Sequence, residues 1–202
     1  MRIGLLGPAE GDEAALRDAV EFLLGDAGVD QAIYLGGDDD TIERVITGWA
    51  REIFGGEPSE DAFLARGAEL AASGTPEQIE ELLSAERSLL RLSAVRMLPP
   101  PPVRAIEMIA DRILLAVHDK SILDEEDIAN ASLIVYGRST EAECRRFGPR
   151  YFLTPGPASR GRVALVEVEE DGGVSLAIYE TSGLPVWREK MARRTSKVNV
   201  VR

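Results

Sequence analysis

Three short stretches of the chain carry residue types that can do chemistry. Asp38-Asp39-Asp40 follow Gly36-Gly37, and with Glu10, His118 and Asp119 they supply carboxylate and imidazole ligands for one hard cation such as Mg²⁺, Mn²⁺ or Ca²⁺. The same aspartates, set between a Gly-Gly turn and a helical pattern, are also good N-cap and first-turn residues. His118 before Asp119 reads equally as a loop residue. Arg138-Ser139-Thr140 combine a cation with two hydroxyls, a set able to hold phosphate or another small anion without metal. Against that, Thr140 and Glu143 fit a capping box for a short helix, and Arg138 can simply neutralise Asp38 to Asp40. Cys144 is the one thiol and has no neighbouring histidine in sequence, so it reads as structural rather than nucleophilic. Pro99 to Arg104 matches a polyproline ligand pattern and equally a stiff lead-in to a strand.

The elements that must position these residues alternate in type. Arg2 to Leu6 is a short apolar strand, and Glu13 to Leu24 has the period of an amphipathic helix. Gln31 to Leu35 is a second strand, followed by a helix from Thr41 to about Phe54 with Asp39 or Asp40 at its cap. This β-α-β-α opening implies a largely parallel sheet. A short helix over 61–72 comes next. Thr75-Pro76-Glu77 then opens a longer helix ending near Leu92, through an N-cap and a proline in the first turn. Residues 41–93 thus form a helical segment beyond what a minimal α/β unit requires. Strands are expected at 103–109, 112–117 and 133–136, and 162–168 and 174–179 form a hairpin about Asp171-Gly172-Gly173.

Composition narrows the class. The chain has 202 residues, 45 % apolar and 29 % charged, which fits one globular domain. A net charge of −12 repels a phosphate backbone, so nucleic acid is not expected to bind the body. The charge is unevenly spread. Residues 184–202 carry six basic side chains against Glu189, a balance of +5 that leaves −17 on residues 1–183. The expected organisation is a domain over 1–183 and a basic C-terminal tail over 184–202, free to fold back on the acidic body or to meet an acidic partner. No stretch has the length of a membrane span or a signal-peptide core, and a single cysteine fits a reducing compartment, so the cytoplasm is expected.

The order of elements and several local phrases resemble the calcineurin-like metallophosphoesterase superfamily, in its small bacterial phosphodiesterase branch. The phrases are Ile3-Gly4-Leu5-Leu6, Leu35-Gly36, Arg112-Ile113-Leu114-Leu115, Ile134-Val135-Tyr136-Gly137, Pro155-Gly156 and the terminal hairpin. The resemblance spans about residues 1–181 and implies a four-layer α/β/β/α sandwich with two metals at the strand ends, about 3.5–4 Å apart. The family's ligand phrases are replaced here. Where it has Asp-x-His after the first strand, this chain has Pro8 and Glu10. Gly-Asp is Gly36-Gly37, and Gly-Asn-His/Cys-Asp has no equivalent near Arg96 to Pro99. The histidine after the strand from Arg112 is Val117, with His118 one residue out, and Gly-His-x-His is Gly137-Arg138-Ser139-Thr140.

With one histidine in the chain, the ordinary two-metal site cannot be rebuilt. The expectation is a catalytically inactive member of the fold, with no catalytic residue and no cofactor, serving as a protein-interaction or scaffold module. Its partner would be another protein or a second copy, as with the retromer subunit of the same superfamily. Two alternatives stand beside it: a divergent single-metal phosphoesterase using Glu10, Asp38, Asp39 and His118, and a metal-free anion sensor using Arg138, Ser139 and Thr140.

Overall fold

The computed structural model describes residues 1–37 and 39–192. Its strands and helices run in the order β1 (Arg2–Leu6), α1 (Glu13–Leu24), β2 (Gln31–Tyr34), α2 (Asp39–Phe54), α3 (Glu60–Ser73), α4 (Pro76–Leu92), β3 (Val95–Met97), β4 (Ala105–Ile109), β5 (Arg112–Val117), α5 (Glu125–Asn130), β6 (Leu133–Tyr136), β7 (Glu143–Phe147), β8 (Arg150–Thr154), β9 (Arg162–Val168), β10 (Val174–Glu180) and β11 (Pro185–Lys190). They build two sheets, ordered β11-β10-β9-β1-β2-β3 and β4-β5-β6-β8-β7. β1, β2 and β3 are parallel, as are β5, β6 and β8, and the remaining pairs are antiparallel.

Three apolar cores separate four layers. The central one lies between the sheets, where Ile3, Leu5, Leu114, Leu133, Leu153 and Leu176 meet with essentially no exposure. A second joins the outer face of the first sheet to α1, α2 and α4, through residues such as Leu16, Leu23, Ile42 and Leu92. A third, smaller core places Leu115, Ile134 and Tyr136 beneath α5. This is the α/β/β/α sandwich expected from the sequence. The layers follow from strand composition: β1, β5 and β6 are apolar on both faces because each packs on both sides.

The helices begin where local chemistry starts them. Asp12 caps α1 by accepting from Ala15 N at 2.9 Å, and Thr75 and Gln78 form a reciprocal capping box at α4 with Pro76 in its first turn. α2 starts at Asp39, two residues before the expected Thr41, which makes Asp40 a first-turn residue. Asp38 lies outside the described residues.

Several expectations need correction. The presumed tail is in part a strand: β11 pairs with β10 from Ser175↔Lys190 to Tyr179↔Pro185. Its basic side chains alternate toward the acids of β9 and its turn. Arg188 meets Glu167 and Glu169, while Lys190 meets Glu169 and Asp171. The positive balance of this segment is therefore partly absorbed within the sheet. Its other basic residues, Arg193, Arg194, Lys197 and Arg202, lie outside the described residues. Thr140 and Glu143 do not open a helix either. Glu143 begins β7, which turns at Gly148 (φ 60°) into β8, and its carboxylate accepts from Tyr136 Oη at 2.9 Å. The β3 edge strand was not foreseen, and β4 starts at Ala105 rather than Val103.

Candidate functional site

The loops after the parallel strands meet at one end of the sandwich, and glycine sets how closely they meet. A Cβ on Gly7, just past β1, would lie 1.6 Å from the carbonyl oxygen of Gly156; one on Gly137, just past β6, would lie 2.0 Å from that of Leu35. Only glycine permits these backbone approaches, which draw the loops after β1, β2, β6 and β8 together. Between them lies a cleft of about 610 Å³ lined by Pro8, Glu10, Gly37, His118, Asp119, Arg138, Ser139 and Thr140 among others. A smaller hollow of about 310 Å³ adjoins it, lined by Glu10, Thr140, Pro157, Ser159 and Arg160.

His118 is buried, and both its ring nitrogens face main-chain oxygens: Nδ1 lies 3.1 Å from Leu35 O and Nε2 3.2 Å from Pro99 O. A neutral imidazole carries one N–H, so one of these contacts is a hydrogen bond and the other a close approach. The ring ties the loop after β5 to the loops after β2 and β3.

Asp119 and Arg138 form the charged pair of the cleft, with Nη1 donating to Oδ2 at 2.8 Å. The Arg138 backbone N–H donates to His118 O at 2.7 Å, so the two loops are joined through main chain and side chain together. The Asp119 carboxyl is held below the usual carboxylate range, first by the backbone N–H of Ser121 at 2.8 Å and then by Arg138. The Arg138 side chain stays 82 % exposed, and among the described residues Asp119 is its one ion-pair partner. Ser139 Oγ is engaged locally, donating to Glu141 O at 2.9 Å. Glu10 stands at the rim in a left-handed conformation (φ 52°), exposed between the two hollows.

Of the residues singled out from sequence, the structure gathers Glu10, His118, Asp119, Arg138, Ser139 and Thr140 around one cleft. Arg138 pairs with Asp119. Asp38 and the side chain of Asp39 lie outside what is described. Among the described residues no three His, Cys, Asp or Glu side chains come together as metal ligands. Among the described residues, Gly37 offers no side chain, both ring nitrogens of His118 lie beside main-chain oxygens, and Arg138 lines the cleft. Ser159 and Arg160 were missed, since Pro157-Ala158-Ser159-Arg160 carries no recognisable spacing and joins the site only through the fold.

Cys144, two residues from the cleft loop, packs its half-buried side chain against the inter-sheet core. Burial, reinforced by Glu189 and Glu143, pushes its thiol up to about 12. It carries essentially no thiolate at neutral pH, which suits packing and not nucleophilic attack.

No family model and no curated protein sequence matches this chain. Solved structures do. A conserved protein of Streptococcus pneumoniae, described as a predicted phosphoesterase, aligns with a TM-score of 0.54 at 14 % identity over 95 % of this chain and 97 % of its own. An archaeal phosphodiesterase aligns with a TM-score of 0.50 at 14 % identity over 89 % and 100 %. Vacuolar protein sorting 29 of Cryptosporidium parvum does so with a TM-score of 0.51 at 12 % identity over 95 % and 98 %. The chain thus shares the α/β/β/α fold of these phosphoesterase-like structures. At these identities the likeness speaks for the architecture alone, so activity must be argued from the cleft.

Proposed function

We propose that this chain is a catalytically silent metallophosphoesterase-fold protein that acts in the cytoplasm as a protein-interaction or scaffold module. One observation carries the reading. The strand-end cleft, where the fold family seats its metals, is held by the Arg138–Asp119 ion pair and by a histidine whose two nitrogens both face backbone carbonyls. A bound cation would have to displace a guanidinium and strip His118 of contacts that join three loops. The resemblance to the retromer subunit of the superfamily supports the interaction reading, and a vacuolar protein sorting 29 stands among the structural neighbours.

The test is hydrolysis of bis-p-nitrophenyl phosphate by metal-stripped protein with added Mn²⁺. The proposal expects no turnover above buffer. Turnover that rises with Mn²⁺ and collapses in Asp38→Ala would replace it with a single-metal phosphoesterase using Glu10, Asp38, Asp39 and His118.

A second reading has its own observation. Arg138 is mostly exposed over the cleft beside Thr140, and Arg160 stands across the adjoining hollow. This arrangement favours a metal-free site for a phosphate or other small anion, read by Arg138, Ser139 and Thr140. It predicts thermal stabilisation by phosphate compounds that Arg138→Ala removes; no shift with any of them would dismiss it.

A further inference from the structure

The helical segment between β2 and β3 is unevenly buried. α3 has no fully buried residue, and α4 buries Leu82 and Leu92 alone, yet both helices carry large apolar side chains in water. Leu64 is 63 % exposed, Leu90 64 %, Ile79 39 % and Leu83 38 %.

These four residues are not scattered. Gly74 and Thr75 alone connect the helices, which makes α3 and α4 an antiparallel hairpin, and a Cβ on Gly67 would touch Leu82 at 3.9 Å. At about 100° per residue, Leu64 lies roughly 60° round from Gly67, while Ile79, Leu83 and Leu90 lie roughly 60–100° round from Leu82 in the same sense. An equal rotation in two antiparallel right-handed helices leads to the same side. The four residues therefore form one apolar stripe along a solvent-facing flank of the hairpin, with Ala68 between them on α3.

The stripe has an acidic border. Glu60 stands one turn before Leu64, and Glu86 sits between Leu83 and Leu90; neither is in an ion pair among the described residues. The nearby cation on this flank, Arg87, is tied to Glu80 at 3.0 Å. Over residues 57–92 there are eight carboxylates against three arginines. Such a surface repels an anionic membrane, and a second copy of the hairpin would set like charges face to face.

We infer that the α3–α4 hairpin docks a basic amphipathic helix of a partner protein, apolar face on the stripe and lysines or arginines against the acidic border. The inference rests on the interaction-module reading and names the chemistry of its partner.

The experiment titrates the full-length protein with a synthetic peptide of two Leu-Lys-Lys-Leu-Leu-Lys-Leu repeats, followed by fluorescence anisotropy. A scrambled peptide of equal composition serves as control. Saturable binding by the helical peptide is expected, weakened about tenfold or more by Leu64→Asp with Leu83→Asp, because apolar anchors carry most of a helix-in-groove contact. Charge alone would give the opposite sign, since both substitutions make the protein more acidic. Tighter binding in the double variant, or equal affinity for the scrambled peptide, overturns the inference, as does no binding at all. So does self-association in sedimentation that Leu83→Asp abolishes, because a second copy would then hold the stripe. The substituted positions are exposed, and an unchanged melting temperature certifies the fold. Failure here leaves the metal-free reading of the cleft standing, because that reading is decided by Mn²⁺-dependent turnover.

Discussion

The strand-end cleft and the α3–α4 hairpin are built on opposite terms. At the cleft the main chain itself is packed, with glycines against carbonyls at Gly7–Gly156 and Gly137–Leu35, buried strands behind them and a histidine bridging three loops. At the hairpin the chain is held by few contacts, and its apolar side chains lie in water. The difference teaches where constraint resides in this fold. Backbone geometry that the sheets require is fixed around the cleft, while a surface the sheets do not require is free to carry apolar exposure.

Substitution should break the two regions very differently. Gly137→Val places a branched side chain where the Leu35 carbonyl stands, and a loss of about 3 kcal/mol or more is expected in urea unfolding. Retention of parental stability would mean the loops do not meet as described. Leu153→Ala in the inter-sheet core is expected to cost about 3 kcal/mol, whereas Leu64→Ala on α3 should change stability by no more than about 0.5 kcal/mol. Equal losses at the two sites would erase the contrast.

The cleft's charged pair gives a smaller, pH-dependent effect. The Asp119 carboxyl titrates below its ordinary range in the folded state, so its contribution is fully present above the ordinary carboxylate range. It is lost as pH falls through the lowered folded value. Asp119→Asn should flatten the acid limb of a stability profile below the ordinary carboxylate range. Arg138→Ala should flatten it less, because the Ser121 N–H is the larger cause and the guanidinium is mostly in solvent. The reverse order would make the ion pair the principal tie. Cys144 in the native protein should react with iodoacetamide at pH 8 far more slowly than in the urea-unfolded chain, its thiol lying near 12. Equal rates would place it outside the core.

Much of the architecture could be read from residues alone. Apolar runs such as Arg112 to Val117 and Leu133 to Tyr136 mark strands covered on both faces, and Thr75-Pro76 marks the start of α4 from local capping. What escaped depended on distant partners. β11 looked like a basic tail because its meaning comes from Glu167, Glu169 and Asp171 on the neighbouring strand and turn. β7 looked like a helix start because a Thr-x-x-Glu spacing is a local signal, and pairing with β8 overrides it. The cleft was legible in Glu10, His118 and Arg138 through the family phrases. The Asp119 partner of Arg138 and the flanking Ser159 and Arg160 needed the loops in place.

The central claim, that this fold has parted from its metals, is met most directly by calorimetric titration of Mn²⁺ into metal-stripped protein. The arrangement of His118, Arg138 and Asp119 predicts no saturable heat at micromolar concentrations. A saturable site abolished by Asp38→Ala would contradict it, and would return the cleft to phosphoester chemistry.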